Sequence, residues 1–179
     1  MYELAIHWRN ATKDAFTPHR GDGIIDLPGL VKGWAIARSV EVLAASGLTS
    51  WCINAGGDVL TSESSRLRPW TVGIVDPEDR AKLLTSVVMT EKYSAVATSG
   101  SAERGEHIWN QITDAAGDYV QVSVLAPDMI TADALATAIV AGGQDLLDLF
   151  ASNWDAEALA VNRNGNLRAT PGFRAFLAT

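Results

Sequence analysis

Asp133 and Thr137 stand four residues apart in the stretch Thr131-Ala132-Asp133-Ala134-Leu135-Ala136-Thr137. On a helix that spacing brings a carboxylate and a hydroxyl to one face. One carboxylate with one neutral oxygen is a partial shell for Mg²⁺, which takes few protein ligands and completes its octahedron from phosphates and water. The plainer alternative has Asp133 favouring the helix N-terminal dipole while Thr137 bonds back to its own chain. No other charge lies between Asp133 and Asp145, so this helix is built for burial, and a buried carboxylate needs a partner.

Three further clusters carry polar chemistry. Asp26-Leu27-Pro28-Gly29-Leu30-Val31-Lys32-Gly33 reads as a strand passing into a helix, with one ammonium at the junction. Free amides at a helix start plus a lysine suit a phosphate; a turn with a solvated lysine explains the same residues. Asn54-Ala55-Gly56-Gly57-Asp58 sets two glycines at the end of an apolar run, either for close approach of a ligand to the backbone or for a tight turn. Thr98 to His107 gathers hydroxyls, carboxylates and a histidine within ten residues, the pattern of a polar site loop or of an ordinary surface loop. His7 and His19 sit in contexts that suggest surface or packing roles. Gly21-Asp22-Gly23 begins like a dinucleotide fingerprint but lacks the third glycine and precedes an apolar run instead of following one.

The elements that must position these residues are short. Helical spacing is expected over 3–12, from near Lys32 to a stop at Gly47, over Thr131–Val140, over Gln144–Phe150, and in a short turn near Phe173. Strands are expected at Ile24–Leu27, Thr49–Asn54, Trp70–Val75, Thr85–Thr90, Tyr93–Thr98, Tyr119–Ala126 and Ala158–Asn162. Strands outnumber helices and often follow one another directly, so the expected class is α+β. Cys52, the only cysteine, lies in the apolar run Trp51-Cys52-Ile53 and reads as a buried, inert thiol.

Composition bounds the function. The 179 residues carry a net charge of −7, with no basic patch, which argues against nucleic-acid partners. Charged residues make up 20% and apolar ones 47%, a balance for a folded soluble domain and not for a disordered chain. A single cysteine excludes an intrachain disulfide and a cysteine zinc site. The longest uncharged stretch, 42–57, is broken by polar residues, so no membrane span is expected there, and Met1-Tyr2-Glu3 starts no signal peptide. Location would be cytoplasmic if Met1 is the natural start, and exported if a leader has been removed.

Taken in order, the clusters resemble the ApbE-type FAD:protein FMN transferases. The matching stretches are IDLPGLVKGWA (25–35), NAGGD (54–58), WTVGIVDPED (70–79), AVATSGSAERGEHI (95–108), SVLAPDMITADALATA (123–138) and TPGF (170–173). The resemblance implies a single domain over 1–179 with ApbE-like, T-fold-like mixed sheets and packed helices, in a short form lacking the family's N-terminal portion. It implies that Asp133, Thr137 and the carbonyl of Gly29 ligate Mg²⁺, and that Lys32 lies near the phosphates of FAD. It also implies that the Gly56-Gly57-Asp58 turn borders the flavin site, that Ser99, Gly100 and Glu103 contact FAD, and that His107 is the candidate general base. Two positions depart from the family pattern: Ala102 replaces a frequent aromatic, and Ile108 to Thr113 replace an Asp-Pro-Arg-Thr-Gly run.

The implied activity is Mg²⁺-dependent transfer of an FMN phosphoryl group from the substrate FAD to a Thr or Ser hydroxyl of an acceptor protein, releasing AMP. Two alternatives remain at this level: hydrolysis of FAD to FMN and AMP at the same site, and a flavin-binding module without turnover.

Overall fold

The computed structural model describes residues 1–62, 69–100 and 117–178, and these form an α+β fold. A six-stranded antiparallel sheet contains β1 (Cys52–Ala55), β2 (Asp58–Thr61), β5 (Ala95–Gly100), β6 (Tyr119–Ala126), β7 (Glu157–Asn162) and β8 (Leu167–Ala169), in that spatial order. β3 (Thr71–Val75) and β4 (Leu83–Val88) form a separate hairpin. Side chains alternate across the large sheet as the pleat requires. Ala95, Ala97, Val122, Val124, Ala158 and Ala160 face the helices in one core. Val59, Val96, Leu125 and Leu159 face β3, β4 and Phe173 in the other. A strand covered on both faces is mostly apolar along its length; β6 is so but for Gln121 and Ser123, and it matches its expected bounds residue for residue.

Among the described residues, three helices pack on or near the first face: α1 (Tyr2–Ala11), α2 (Pro28–Ala45) and α3 (Met129–Asn153), followed by a 3₁₀ turn at Phe173–Phe176. α3 begins before Thr131 because Asp128 caps it, accepting 2.9 Å and 2.7 Å bonds from the Thr131 N–H and hydroxyl. The two helices expected at its place form one element broken at Gly143 (φ 63°, ψ −149°). Asp118, from the start of β6, caps the second half by accepting from Gln144 N at 2.9 Å. α3 is long and apolar enough to cross a bilayer by length and composition, and its apolar surface is mostly buried in the core.

Several expectations are corrected. Ile24–Leu27 is no strand: only a single bridge links Ile25 to His19, and Ile24 and Ile25 are 54% and 55% exposed, so they have no sheet to join. α2 therefore follows a turn and starts at Pro28, a full turn before Lys32, because proline needs no N–H partner at a helix start. β1 is the edge of the sheet, and Cys52 is exposed on it instead of buried. β2 and β8, of four and three residues, are too short to show a period.

Candidate active site

α2 and α3 are brought together by small residues. Gly29 abuts Thr137, and Gly33 abuts Asp133 and the Met129 carbonyl, so the helices run antiparallel. A Cβ on Gly33 would lie 3.0 Å from Asp133 Oδ2 and 3.1 Å from Met129 O; one on Gly29 would lie 3.6 Å from Thr137 Oγ1. The missing side chains leave the main chain of α2 against the two oxygens of α3. Asp133 is 1% exposed, and its Oδ2 accepts the Gly33 N–H at 2.9 Å.

Two strands reach the same place. The Thr137 hydroxyl lies 3.1 Å from Ser99 Oγ near the end of β5. One residue earlier, Thr98 N donates to Asp58 Oδ1 at 3.0 Å. Asp58 is fully buried, and Lys32 Nζ sits 2.6 Å from its Oδ2, an ion pair outside good hydrogen-bond alignment. The contacts close a ring. Lys32 pairs with Asp58, Asp58 with Thr98, Ser99 with Thr137, and Asp133, one turn from Thr137, with Gly33 beside Lys32.

Gly56 and Gly57 are the two turn residues between β1 and β2, with φ of 61° and 92°, as a two-residue type I′ hairpin requires. Gly57 N donates to Asn54 Oδ1 at 3.1 Å, and the turn delivers Asp58 to the ring. Gly100 answers a packing demand, since a Cβ there would lie 2.4 Å from Val120 O. Glu103 and His107 lie outside the described residues. The residue that sequence reading left without a role is Gly33. Its signal was available, because Gly29 and Gly33 recur at one helical turn, the spacing of a close helix–helix contact.

Among the described residues, no three His, Cys, Asp or Glu side chains cluster as a metal cage. The donors at hand are a carboxylate, hydroxyls and main-chain carbonyls beside glycine-lined gaps, all hard oxygens. That donor set fits Mg²⁺, which binds through one or two carboxylates and substrate phosphates. A cavity of about 470 Å³ lies on the other face of the sheet, between it and the β3–β4 hairpin. Cys52, Asn54, Thr98, Gln121 and Arg80 line it, and among the described residues Gly57 is the one expected site residue in its walls. Lys32, Asp58 and Asp133 stand in the ring and not in this cavity, whose described walls carry Cys52, Asp76 and Arg80. Partial burial pushes the Cys52 thiol up from its ordinary range.

This fold and this oxygen-lined helix crossing define an ApbE-type architecture. The ApbE family model matches residues 2–160, and the chain belongs to that family. It is 32% identical to the FAD:protein FMN transferase of Rhodobacter capsulatus over 86% of this chain and 31% of that protein. It is 31% identical to the FAD:protein FMN transferase of Treponema pallidum (strain Nichols), over 83% and 46%. The chain thus spans less than half the length of these curated relatives. Among solved structures it resembles the ApbE protein of Thermotoga maritima (TM-score 0.84, 23% identity, 99% of this chain and 76% of that one). It also resembles the flavin transferase ApbE of Vibrio cholerae (TM-score 0.80, 19% identity, 98% and 75%). These likenesses establish the fold.

Proposed function

We propose that this chain transfers the FMN phosphoryl group of FAD to a Thr or Ser hydroxyl of an acceptor protein, with Mg²⁺ bound, and releases AMP. The observation that carries this reading is the closed ring of contacts joining α2, β2, β5 and α3, which brings Lys32, Asp58, Ser99, Asp133 and Thr137 to one place. Residues drawn from four separate elements converge on one small polar site, as a phosphoryl-transfer centre needs.

Asp133, Thr137 and the Gly29 carbonyl would hold Mg²⁺, which when bound neutralises charge on the diphosphate. Asp133 is fixed by the Gly33 amide, so its carboxylate does not need to reorganise as substrate arrives. Lys32 would lie along the phosphates, and the Ser99 hydroxyl would add a donor at the end of β5. The Gly56-Gly57 turn leaves an open edge against which a flavin would rest. In the reaction the acceptor oxygen forms a bond to the FMN phosphorus, the bond from that phosphorus to the AMP oxygen breaks, and the acceptor proton passes to His107.

The test is incubation with FAD, Mg²⁺ and a candidate acceptor protein, followed by mass analysis of the acceptor and quantification of AMP. An FMN adduct on a Thr or Ser, matched one to one by AMP, supports the proposal. FMN and AMP formed without an adduct select hydrolysis. Bound FAD without either product makes the chain a flavin-binding module.

A further inference from the structure

Lys32 is not presented as an isolated cation. Its ammonium lies 2.6 Å from Asp58 Oδ2; the lysine side chain is 26% exposed and the aspartate fully buried. Asp58 cannot readily swing away, because its other oxygen holds Thr98 N at 3.0 Å and its backbone is fixed behind the Gly56-Gly57 turn. An ammonium matched this closely offers a diphosphate a dipole in place of a full charge. The same carboxylate fixes where the ammonium stands, at the start of β2 over the aspartate that also holds the Thr98 amide.

We infer that Asp58 is a positioning and charge-balancing residue, which holds Lys32 in the ring and makes capture of a dinucleotide diphosphate depend on a bound divalent cation. The inference rests on the flavin-transfer reading for the identity of the dinucleotide. With Lys32 matched by Asp58, the pair offers an incoming diphosphate no net positive charge until a cation is present. Asp58 therefore couples the two events, so that FAD without metal is held weakly. A residue that only stabilised the fold would lose binding on mutation. Asp58 acting as proposed gives the opposite sign in the absence of metal.

The experiment is FAD binding, followed by flavin fluorescence, with excess Mg²⁺ and with EDTA, for wild type, Asp58→Asn and Asp58→Asn with Lys32→Met. Asparagine keeps an oxygen for Thr98 N while removing the charge; Asp58→Ser is the second variant should the first unfold, with circular dichroism as the check. The expected result is that wild type binds FAD tightly only with Mg²⁺, and that Asp58→Asn binds it about tenfold tighter in EDTA, the order an unmatched, partly exposed cation contributes. Adding Lys32→Met removes the gain. Wild-type affinity independent of Mg²⁺, or a folded Asp58 variant without gain in EDTA, overturns the inference and leaves the transferase reading intact. If wild type binds no FAD under either condition, the transferase reading fails. Inorganic pyrophosphate then serves as the probe: the same shift in Asp58→Asn supports the charge-balancing role, and no shift ends it.

Discussion

Gly33→Ala is the most diagnostic change to the helix crossing. In an exposed helix interior, replacing Gly by Ala stabilises by about 1 kcal/mol. At Gly33 the new methyl would fall 3.0 Å from Asp133 Cβ and Oδ2 and 3.1 Å from the Met129 carbonyl oxygen. Two of those three atoms belong to or adjoin the main chain and cannot rotate aside, so α2 must retreat by a few tenths of an ångström. Overpacking of this kind costs about 1–3 kcal/mol. The retreat also stretches the 2.9 Å bond from Gly33 N to Asp133 Oδ2. Leaving that buried carboxylate short of a donor adds about 1–3 kcal/mol. After the helix-propensity gain, the net loss is about 1–5 kcal/mol, or roughly 2–20 °C in Tm for a chain of this size. Gly29→Ala is expected to lose less, since its added methyl meets the Phe16 ring edge at 3.0 Å and the Thr137 methyl at 3.4 Å, side-chain atoms that can move. Thermal and urea denaturation followed by circular dichroism give both values. A Gly33→Ala protein as stable as wild type, or more stable, would show that the two helices do not approach closely at Asp133.

Two other changes probe the surroundings. Gly143→Ala forces a side chain into a positive-φ break, with its Cβ 2.4 Å from Asp118 Oδ2, and should cost about 3 kcal/mol or more in a urea melt; a loss under 1 kcal/mol would mean that the kink is not held by Asp118. Partial burial disfavours the Cys52 thiolate, so its alkylation rate should rise with pH along a curve displaced above that of a free thiol. A curve at or below the free-thiol position would place Cys52 in a different environment from the cavity wall described for it.

Sequence reading succeeded where local chemistry settles the outcome. The central strand β6 announces itself by a run that is apolar but for Gln121 and Ser123, and Asp133 by the absence of any other charge as far as Asp145. Asp133 is buried and does meet a partner, as the cost of burying a charge demands. Local patterns misled where the environment lay far along the chain. Ile24 and Ile25 look like strand residues but have no sheet to enter, and Cys52 sits in an apolar run that becomes an exposed edge. The Lys32–Asp58 pair was illegible for the same reason: nothing near either residue says that a helix and a hairpin turn will bring them together. The ring is assembled by tertiary packing through Gly29 and Gly33, whose spacing was visible while the partner helix was not.

The metal-dependent transfer of flavin proposed for this chain turns on Asp133. Its most direct test is the yield of acceptor-bound FMN as a function of Mg²⁺ concentration, for wild type and for Asp133→Asn, which keeps an oxygen for the Gly33 amide. A saturable rise with Mg²⁺ is expected in wild type and its loss in the variant, with circular dichroism unchanged. The same Mg²⁺-dependent yield from both proteins would contradict it.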